Sequence, residues 1–301
     1  MANWKVYRNG NYIVKINLDD GTRIRETEDD EFISSFATNQ DIKICNRCDI
    51  GCPFCHEGST PNGKLGDIMN QKFIDTLHPY QEVALGGGNV FEHPDLIPFL
   101  RKLKEKSVIP NITLNQVHFM KEIETVEILI NERLIYGVGV SLVNPTEEFI
   151  TTVKRFPNVV IHVINGIFSH SDLEILAGNG LKLLILGYKD LRRGVEWHEK
   201  DRENIYEKQI WLTDNMEEVL NGFKVVSFDN LAIEQLGIKR LLSDEEWERF
   251  YAGEEGSSTF YIDMVEKKFA QNSTAPFDKR YDLLDSVDDM FKIIQNESVI
   301  E

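Results

Sequence analysis

The sequence predicts an α/β fold, a partial (β/α)6 barrel of TIM-like kind, and three observations lead there. Across residues 41–189, short apolar runs alternate with helical stretches, the pattern of parallel strands joined by right-handed crossovers. Pro94 and Pro145 stand at the openings of two of those helical stretches, where a fixed φ suits a first helical turn. The chain, at 301 residues and 42% hydrophobic, is long enough to bury a substantial core.

Ahead of the barrel, Asn11–Leu18 alternates apolar and polar residues, Asp20-Gly21 marks a turn, and Thr22–Thr27 returns. This reads as a β-hairpin, a lid or edge element. Candidate strands follow at Ile42–Ile44, Glu82–Leu85, Asn111–Leu114, Ile135–Leu142, Val159–Ile164 and Lys182–Leu186. Between them lie helical patterns over Gln71–Leu77, Asp95–Lys106, Phe119–Asn131, Thr146–Phe156 and Ser171–Gly178. Phe223–Phe228 and Thr259–Val265, the latter hairpinned with Lys268–Ala270, either extend the six strands towards closure or form a small cap. Lys279–Ile300 reads as a surface helix. The expected division is an N-terminal hairpin extension (1–40), a barrel core (41–215) and a C-terminal extension completing or covering the barrel (216–301).

Charge and apolar patterning exclude several roles. A formal net charge of -17 disfavours a phosphate-tracking surface, so nucleic acid is not an expected partner. Lys102, Lys104 and Lys106 read as one solvated helix face. No apolar run approaches the roughly 20 residues that span a bilayer, and the opening Met1–Arg8 lacks a signal peptide's apolar segment. A soluble, cytoplasmic protein without a membrane partner is expected. All four cysteines fall between Cys45 and Cys55. A disulfide scaffold spreads its cysteines to close long loops, whereas this crowding reads as metal ligation or redox chemistry.

The first candidate strand runs into Cys45-Asn-Arg-Cys48-Asp-Ile-Gly-Cys52-Pro-Phe-Cys55-His-Glu. Within it, Cys48-x3-Cys52-x2-Cys55 resembles the defining loop of the radical S-adenosylmethionine enzymes. That resemblance implies a [4Fe–4S] cluster whose metal ligands are Cys48, Cys52 and Cys55. The fourth iron stays open for the amino and carboxylate groups of S-adenosylmethionine. Phe54, just before the third cysteine, then packs on the adenine side of the cofactor. Zinc and plain electron transfer remain alternatives on the residues alone. Paired zinc knuckles stand about 15–20 residues apart, against three residues here, and ferredoxin runs order their gaps differently. Cys45, a fourth ligand that would close the open iron, reads as a buried free thiol.

A second stretch, Val83-Ala-Leu-Gly86-Gly87-Gly88-Asn89 followed by His93-Pro-Asp-Leu96, resembles the same enzymes' GGE motif. Gly86, Gly87 and Gly88 would let backbone carbonyls approach the methionyl amino group. Asn89 takes the Glu position, which puts a side-chain carboxylate role there in doubt. The resemblance further implies a ribose contact at Ser141, an adenine-packing segment ending at Ile167, and adenine contacts at Gly187 and Tyr188. It covers residues 41–189.

For the substrate, Asn115, Gln116 and His118 follow the third strand and are expected at the barrel mouth, with Asp229 a further lining residue after Phe223–Phe228. His56 reads either as a partner to the cluster or cofactor or as a surface histidine. Lys189, Arg192 and Arg193 read either as an anion site or as a solvated charge run. With no cysteine after Cys55, a cysteine-ligated auxiliary cluster is excluded. The resemblance thus implies hydrogen abstraction by a 5′-deoxyadenosyl radical from a small molecule or peptide. S-adenosylmethionine would be consumed or recycled, a flavodoxin- or ferredoxin-type protein would donate electrons, and activity would be lost in air. A glycyl-radical-enzyme activase and a non-catalytic iron–sulfur or zinc-binding protein are the competing readings.

Overall fold

The computed structural model describes residues 3–298. It contains a three-stranded antiparallel sheet and a ten-stranded sheet. The first comprises β1 (Trp4–Asn9), β2 (Tyr12–Asn17) and β3 (Arg23–Glu26). The hairpin expected over residues 11–27 is therefore two strands of a meander, with β1 paired to β2 throughout. Tyr12, Val14 and Ile16 form its buried face. Its β2–β3 turn is tied to the barrel's N-terminal end, where Asn158 Nδ2 donates to Asp19 O at 2.9 Å and Arg23 pairs with Glu82. The element is a floor to the barrel, opposite the mouth, where a lid would sit.

The six strands expected for the barrel are β4 (Asn39–Cys45), β5 (Glu82–Gly87), β6 (Ile109–Asn115), β7 (Gly137–Ser141), β8 (Val159–Ile164) and β9 (Lys182–Leu186), parallel throughout. They form a partial TIM-like barrel. Two more parallel strands extend it at opposite edges: β10 (Val225–Phe228) beside β9, and β11 (Thr259–Asp263) beside β4. β12 (Lys268–Ala270) and β13 (Tyr281–Asp282) continue antiparallel from β11.

Alternation along each strand separates core from lumen. On β6, Ile112 and Leu114 are buried under helices, while Asn111 and Thr113 line the interior. On β7, Val138 and Val140 face the helices and Gly137, Gly139 and Ser141 face in. The helical layer between β4 and β9 is α1 (Gln71–Asp75), α2 (Leu96–Glu105), α3 (Gln116–Lys121), α4 (Ile123–Asn131), α5 (Glu147–Val153) and α6 (His170–Leu176). Its starts are chemically marked. Thr146 Oγ1 accepts from Phe149 N at 3.1 Å, and Ser169 forms a capping box with Asp172. The single helix expected over Phe119–Asn131 is two helices, α3 and α4, with a break at Glu122.

Between β9 and β10 run α7 (Arg193–Lys200), α8 (Arg202–Asp214) and α9 (Met216–Gly222). α10 (Asn230–Leu236) and α11 (Asp244–Phe250) follow β10, and α12 (Val287–Ser298) comes last. α12 is not the surface helix expected of the tail. Val287, Met290, Phe291 and Ile294 are fully buried in the main core, following a helical period that sequence polarity masks. No helix among the described residues is long and apolar enough to cross a membrane.

Candidate active site at the barrel mouth

β4 ends in Cys45, whose side chain is fully buried. Its Sγ accepts from Arg47 N at 3.1 Å and contacts Arg47 O at 3.4 Å, so this thiol is held inside the turn that launches the loop. Residues 46–66 double back on themselves. Cys48 N donates to Thr60 O at 2.9 Å and Asn46 N to Lys64 O at 2.8 Å. A tight turn follows, with Cys55 N donating to Cys52 O at 3.3 Å. Cys48, Cys52 and Cys55 are free and half-buried.

These three thiols converge. Burial first, then the proximity of Cys55 and Cys48, pushes up the Cys52 thiol, and burial with Cys55 does the same to Cys48. Among the described residues, the His, Cys, Asp and Glu group close enough to share one ion is Cys48, Asp49 and His118, all within 4.8 Å. The three thiols thus form a wider site than one ion takes. A three-thiolate set with its fourth cysteine turned inward fits a cuboidal iron–sulfur cluster better than tetrahedral zinc.

The glycine run of β5 lies against this loop. Gly88 N donates to Cys45 O and Asn89 N to Arg47 O, each at 2.7 Å. A Cβ on Gly87, whose φ is +114°, would come within 2.1 Å of Cys45 O, and one on Gly88 within 2.3 Å of Arg47 O. Gly86 has open space around it. Asn89 is buried and caps the short 3-10 turn Val90–Glu92 by accepting from Phe91 N at 3.2 Å. A Glu could not replace that short cap without lengthening it, which is why Asn suits the position.

Phe54, Gly187 and Tyr188 meet in a small pocket with His56, Ile164, Leu186 and Lys189. Ile167 lies in the turn after β8, where its N–H returns to Ile164 O at 2.9 Å, outside that pocket. At Gly187 the close neighbour is Leu231 of α10, 2.4 Å from where a Cβ would stand. Tyr188 donates from its hydroxyl to Gly194 O at 2.8 Å, and burial raises its phenol to about 12. Ser141 lines the main cavity.

The expected substrate trio divides differently. Asn115 caps α3 through Val117 N at 2.9 Å, and its Nδ2 stands 3.8 Å from Cys52 Sγ. Gln116 accepts from Val143 N and Asn144 N at 2.8 and 3.0 Å, bracing the loop after β7. His118 is buried and bonds Asp49 of the cysteine loop at 2.7 Å. None of the three lines the main cavity. Asn115 is the last residue of β6 and the N-cap of α3, and Gln116 and His118 lie within α3, where the chain has turned outward. Asp229 does line it.

Sequence reasoning missed the charged framework beneath the loop. Lys43, on the inward face of β4 and 1% exposed, pairs with Glu57 at 2.7 Å and Asp263 of β11 at 3.3 Å. Arg192 reaches Glu57 at 3.1 Å and Arg280 reaches Asp263 at 3.7 Å. Burial alone would raise the Glu57 carboxyl, but hydrogen bonding and charge from His56 and Lys43 hold it well below the usual range. The alternation of Asp41 and Lys43 between apolar neighbours was the available signal, since polar residues at every second position of a buried strand mark its inward face.

No family model and no curated protein sequence matches the chain. Solved structures do. The structure of Streptococcus suis SuiB bound to the precursor peptide SuiA superposes with a TM-score of 0.63 at 13% identity, covering 99% of this chain and 89% of SuiB's. The chain is similar in fold to SuiB. SuiB bound to S-adenosylmethionine gives a TM-score of 0.59 at 14% identity, covering 93% of this chain and 84% of that one. The agreement with SuiB extends across barrel and flanking sheets alike, and it is the architecture that the cysteine loop's resemblance implies.

Proposed function

We propose that this protein is a radical S-adenosylmethionine enzyme acting on a peptide or small molecule. One observation carries the reading: a three-cysteine loop at the C-terminal end of β4, with the glycine run of β5 bonded to it at 2.7 Å. That is where a partial barrel concentrates its chemistry. SuiB, similar in fold, has been solved with S-adenosylmethionine and with a precursor peptide, which favours the peptide class.

In this reading Cys48, Cys52 and Cys55 hold a [4Fe–4S] cluster. Such a cluster, once reduced, would supply the electron for reductive cleavage of S-adenosylmethionine, the chemistry that the three cysteines would hold at this mouth. The chain's residues bind and orient. Gly86, Gly87, Gly88 and Asn89 offer backbone groups to the methionyl end. Ser141 would face the ribose, and Phe54, Gly187 and Tyr188 would surround the adenine, with Ile164 rather than Ile167 as the apolar contact from the end of β8. Lys43 and Arg192 clamp Glu57 and so fix the loop that carries the ligands. A flavodoxin- or ferredoxin-type donor supplies the electron. A reducing compartment such as the cytoplasm would suit the three free thiols and the cluster they would hold.

The test is anaerobic reconstitution with iron and sulfide, reduction, addition of S-adenosylmethionine and quantification of 5′-deoxyadenosine. The control carries Cys48→Ala, Cys52→Ala and Cys55→Ala together. Formation of 5′-deoxyadenosine by wild type alone is the expected result. A loaded, reduced wild-type cluster that yields none would leave only a carrier or binder.

A further inference from the structure

A packed barrel fills its interior with layers of branched apolar side chains. In this one, Ala84, Gly86, Gly137 and Gly139 stand at inward positions and leave a cavity of about 1150 Å³. Asp41, Asp229, Glu255, Lys189 and His162 line it. The neighbouring cations have other partners: Lys43 and Arg192 pair with Glu57 and Arg280 with Asp263, Lys189 donates to Ser273 Oγ at 2.9 Å, Lys182 feels the Asp20 charge, and Lys239 lies over the Trp247 ring. Among the described residues, Asp41, Asp229 and Glu255 have no ion-pair partner. Asp229 accepts from Gly187 N and Ala232 N through Oδ1, each at 2.8 Å, which leaves Oδ2 open to the cavity.

The three carboxylates feel one another. Burial raises the Asp41 carboxyl, with the Lys189 charge opposing and Asp229 adding to the effect. Burial likewise pushes Glu255 up to about 7, with Lys189 and an Asn272 hydrogen bond opposing and Asp229 and Asp41 reinforcing. The second, independent observation is His162. Its ring lies on Gly139, where a Cβ would come within 2.2 Å of it. It is partly buried, borders the cavity, and its ring makes no hydrogen bond among the described residues. Burial, then Lys189, lowers it to about 4, so it stays neutral and adds no positive charge. A partly buried imidazole without a partner, on the wall of an open space beside carboxylates that have no ion pair, offers a free acceptor nitrogen to a ligand.

We propose that the lumen binds a cationic substrate group, an amine or guanidinium, between Asp41, Asp229 and Glu255, with neutral His162 as a hydrogen-bond acceptor. The cavity lining carries eight carboxylates against four lysines, so an anion would meet net negative charge, and an uncharged apolar group would leave Asp41, Asp229 and Glu255 without a counter-charge. That the bound molecule is the reaction's substrate rests on the radical reading above; the charge preference does not.

The experiment is calorimetric titration of the reconstituted full-length protein, anaerobic and saturated with S-adenosylmethionine. The probes are the Nα-acetyl amides of lysine, arginine, norleucine and glutamate. The lysine and arginine probes are expected to bind at least about tenfold more tightly than the norleucine probe, and the glutamate probe not at all. Asp41→Asn and Glu255→Gln, both near-isosteric, should each weaken the cationic probes by about tenfold, with thermal melts showing that the fold is kept. Equal binding of norleucine, tighter binding of glutamate, no binding by any probe, or competition between cationic probes and S-adenosylmethionine would each overturn the proposal. Parallel assay of 5′-deoxyadenosine separates the two readings. Charge-selective binding without cleavage keeps this inference and removes the radical one, and cleavage without charge selectivity does the reverse.

Discussion

At the residue scale, the site depends on backbone proximity more than on side-chain chemistry. Gly88 has no room for a methyl group beside Arg47 O, whereas Gly86 has open space. Gly88→Ala should therefore displace the cysteine loop, lower stability by on the order of 2–3 kcal/mol and reduce iron loading. Gly86→Ala should leave the urea midpoint unchanged. Equal midpoints for the two variants would contradict the contact. Two groups in the lumen give opposite pH signatures. His162 is lowered from 6.5 to about 4, so the unfolded chain binds its proton first and stability is lost as pH falls through that window. Glu255 is raised from 4.5 to about 7, so its contribution is complete below 4.5 and is lost as pH rises through 7. Urea unfolding should show Glu255→Gln more stable than wild type at pH 8, and His162→Gln less sensitive to acid, each by on the order of 2–3 kcal/mol. A Glu255→Gln protein no more stable at pH 8 would mean that the carboxylate is already compensated.

At the element scale, α12 contributes like an internal helix. Phe291 is fully buried and lies 5.9 Å from Phe260 of β11, centroid to centroid. Phe291→Ala should cost about 3–5 kcal/mol, measured by denaturant unfolding. A cost under about 1 kcal/mol would return α12 to the surface that the sequence suggests. The six barrel strands were legible in the sequence because each is a short apolar run bounded by turn residues. The cysteine loop and glycine run were legible because their spacing is chemically restrictive. β1 was not: Trp4–Asn9 alternates Lys5 and Arg8 with apolar residues and carries no turn signal ahead of it. Asn115, Gln116 and His118 lie outside the main cavity, because a polar cluster after a strand signals either a pocket or a helix cap. Here the caps and loop braces prevailed. Asp41, His162 and Glu255 lie far apart in sequence, and only the fold brings them to one cavity.

At the scale of the whole molecule, the N-terminal meander floors the barrel and the C-terminal segment supplies much of one wall. Arg25 Nη2 donates to Ala252 O at 2.9 Å, so the two ends meet outside the core strands. Breaking that tie with Arg25→Ala should leave the barrel folded while raising amide exchange in residues 244–256, where α11 buries none of its side chains. Unchanged exchange there would show that α11 is held by other contacts.

β4 bears the cysteine loop, yet one of its two flanking strands, β11, is encoded more than 200 residues later. During synthesis that edge of β4 has no partner until Thr259–Asp263 has left the ribosome tunnel. Until then it exposes a row of unpaired amides and carbonyls beside reactive thiols. Ribosome-stalled chains ending before β11 should thus remain protease-sensitive throughout the barrel, and chains extended past α12 should become resistant in one step. Cluster insertion would then be timed by translation itself: the ligands are made early, but the wall that steadies them arrives almost last.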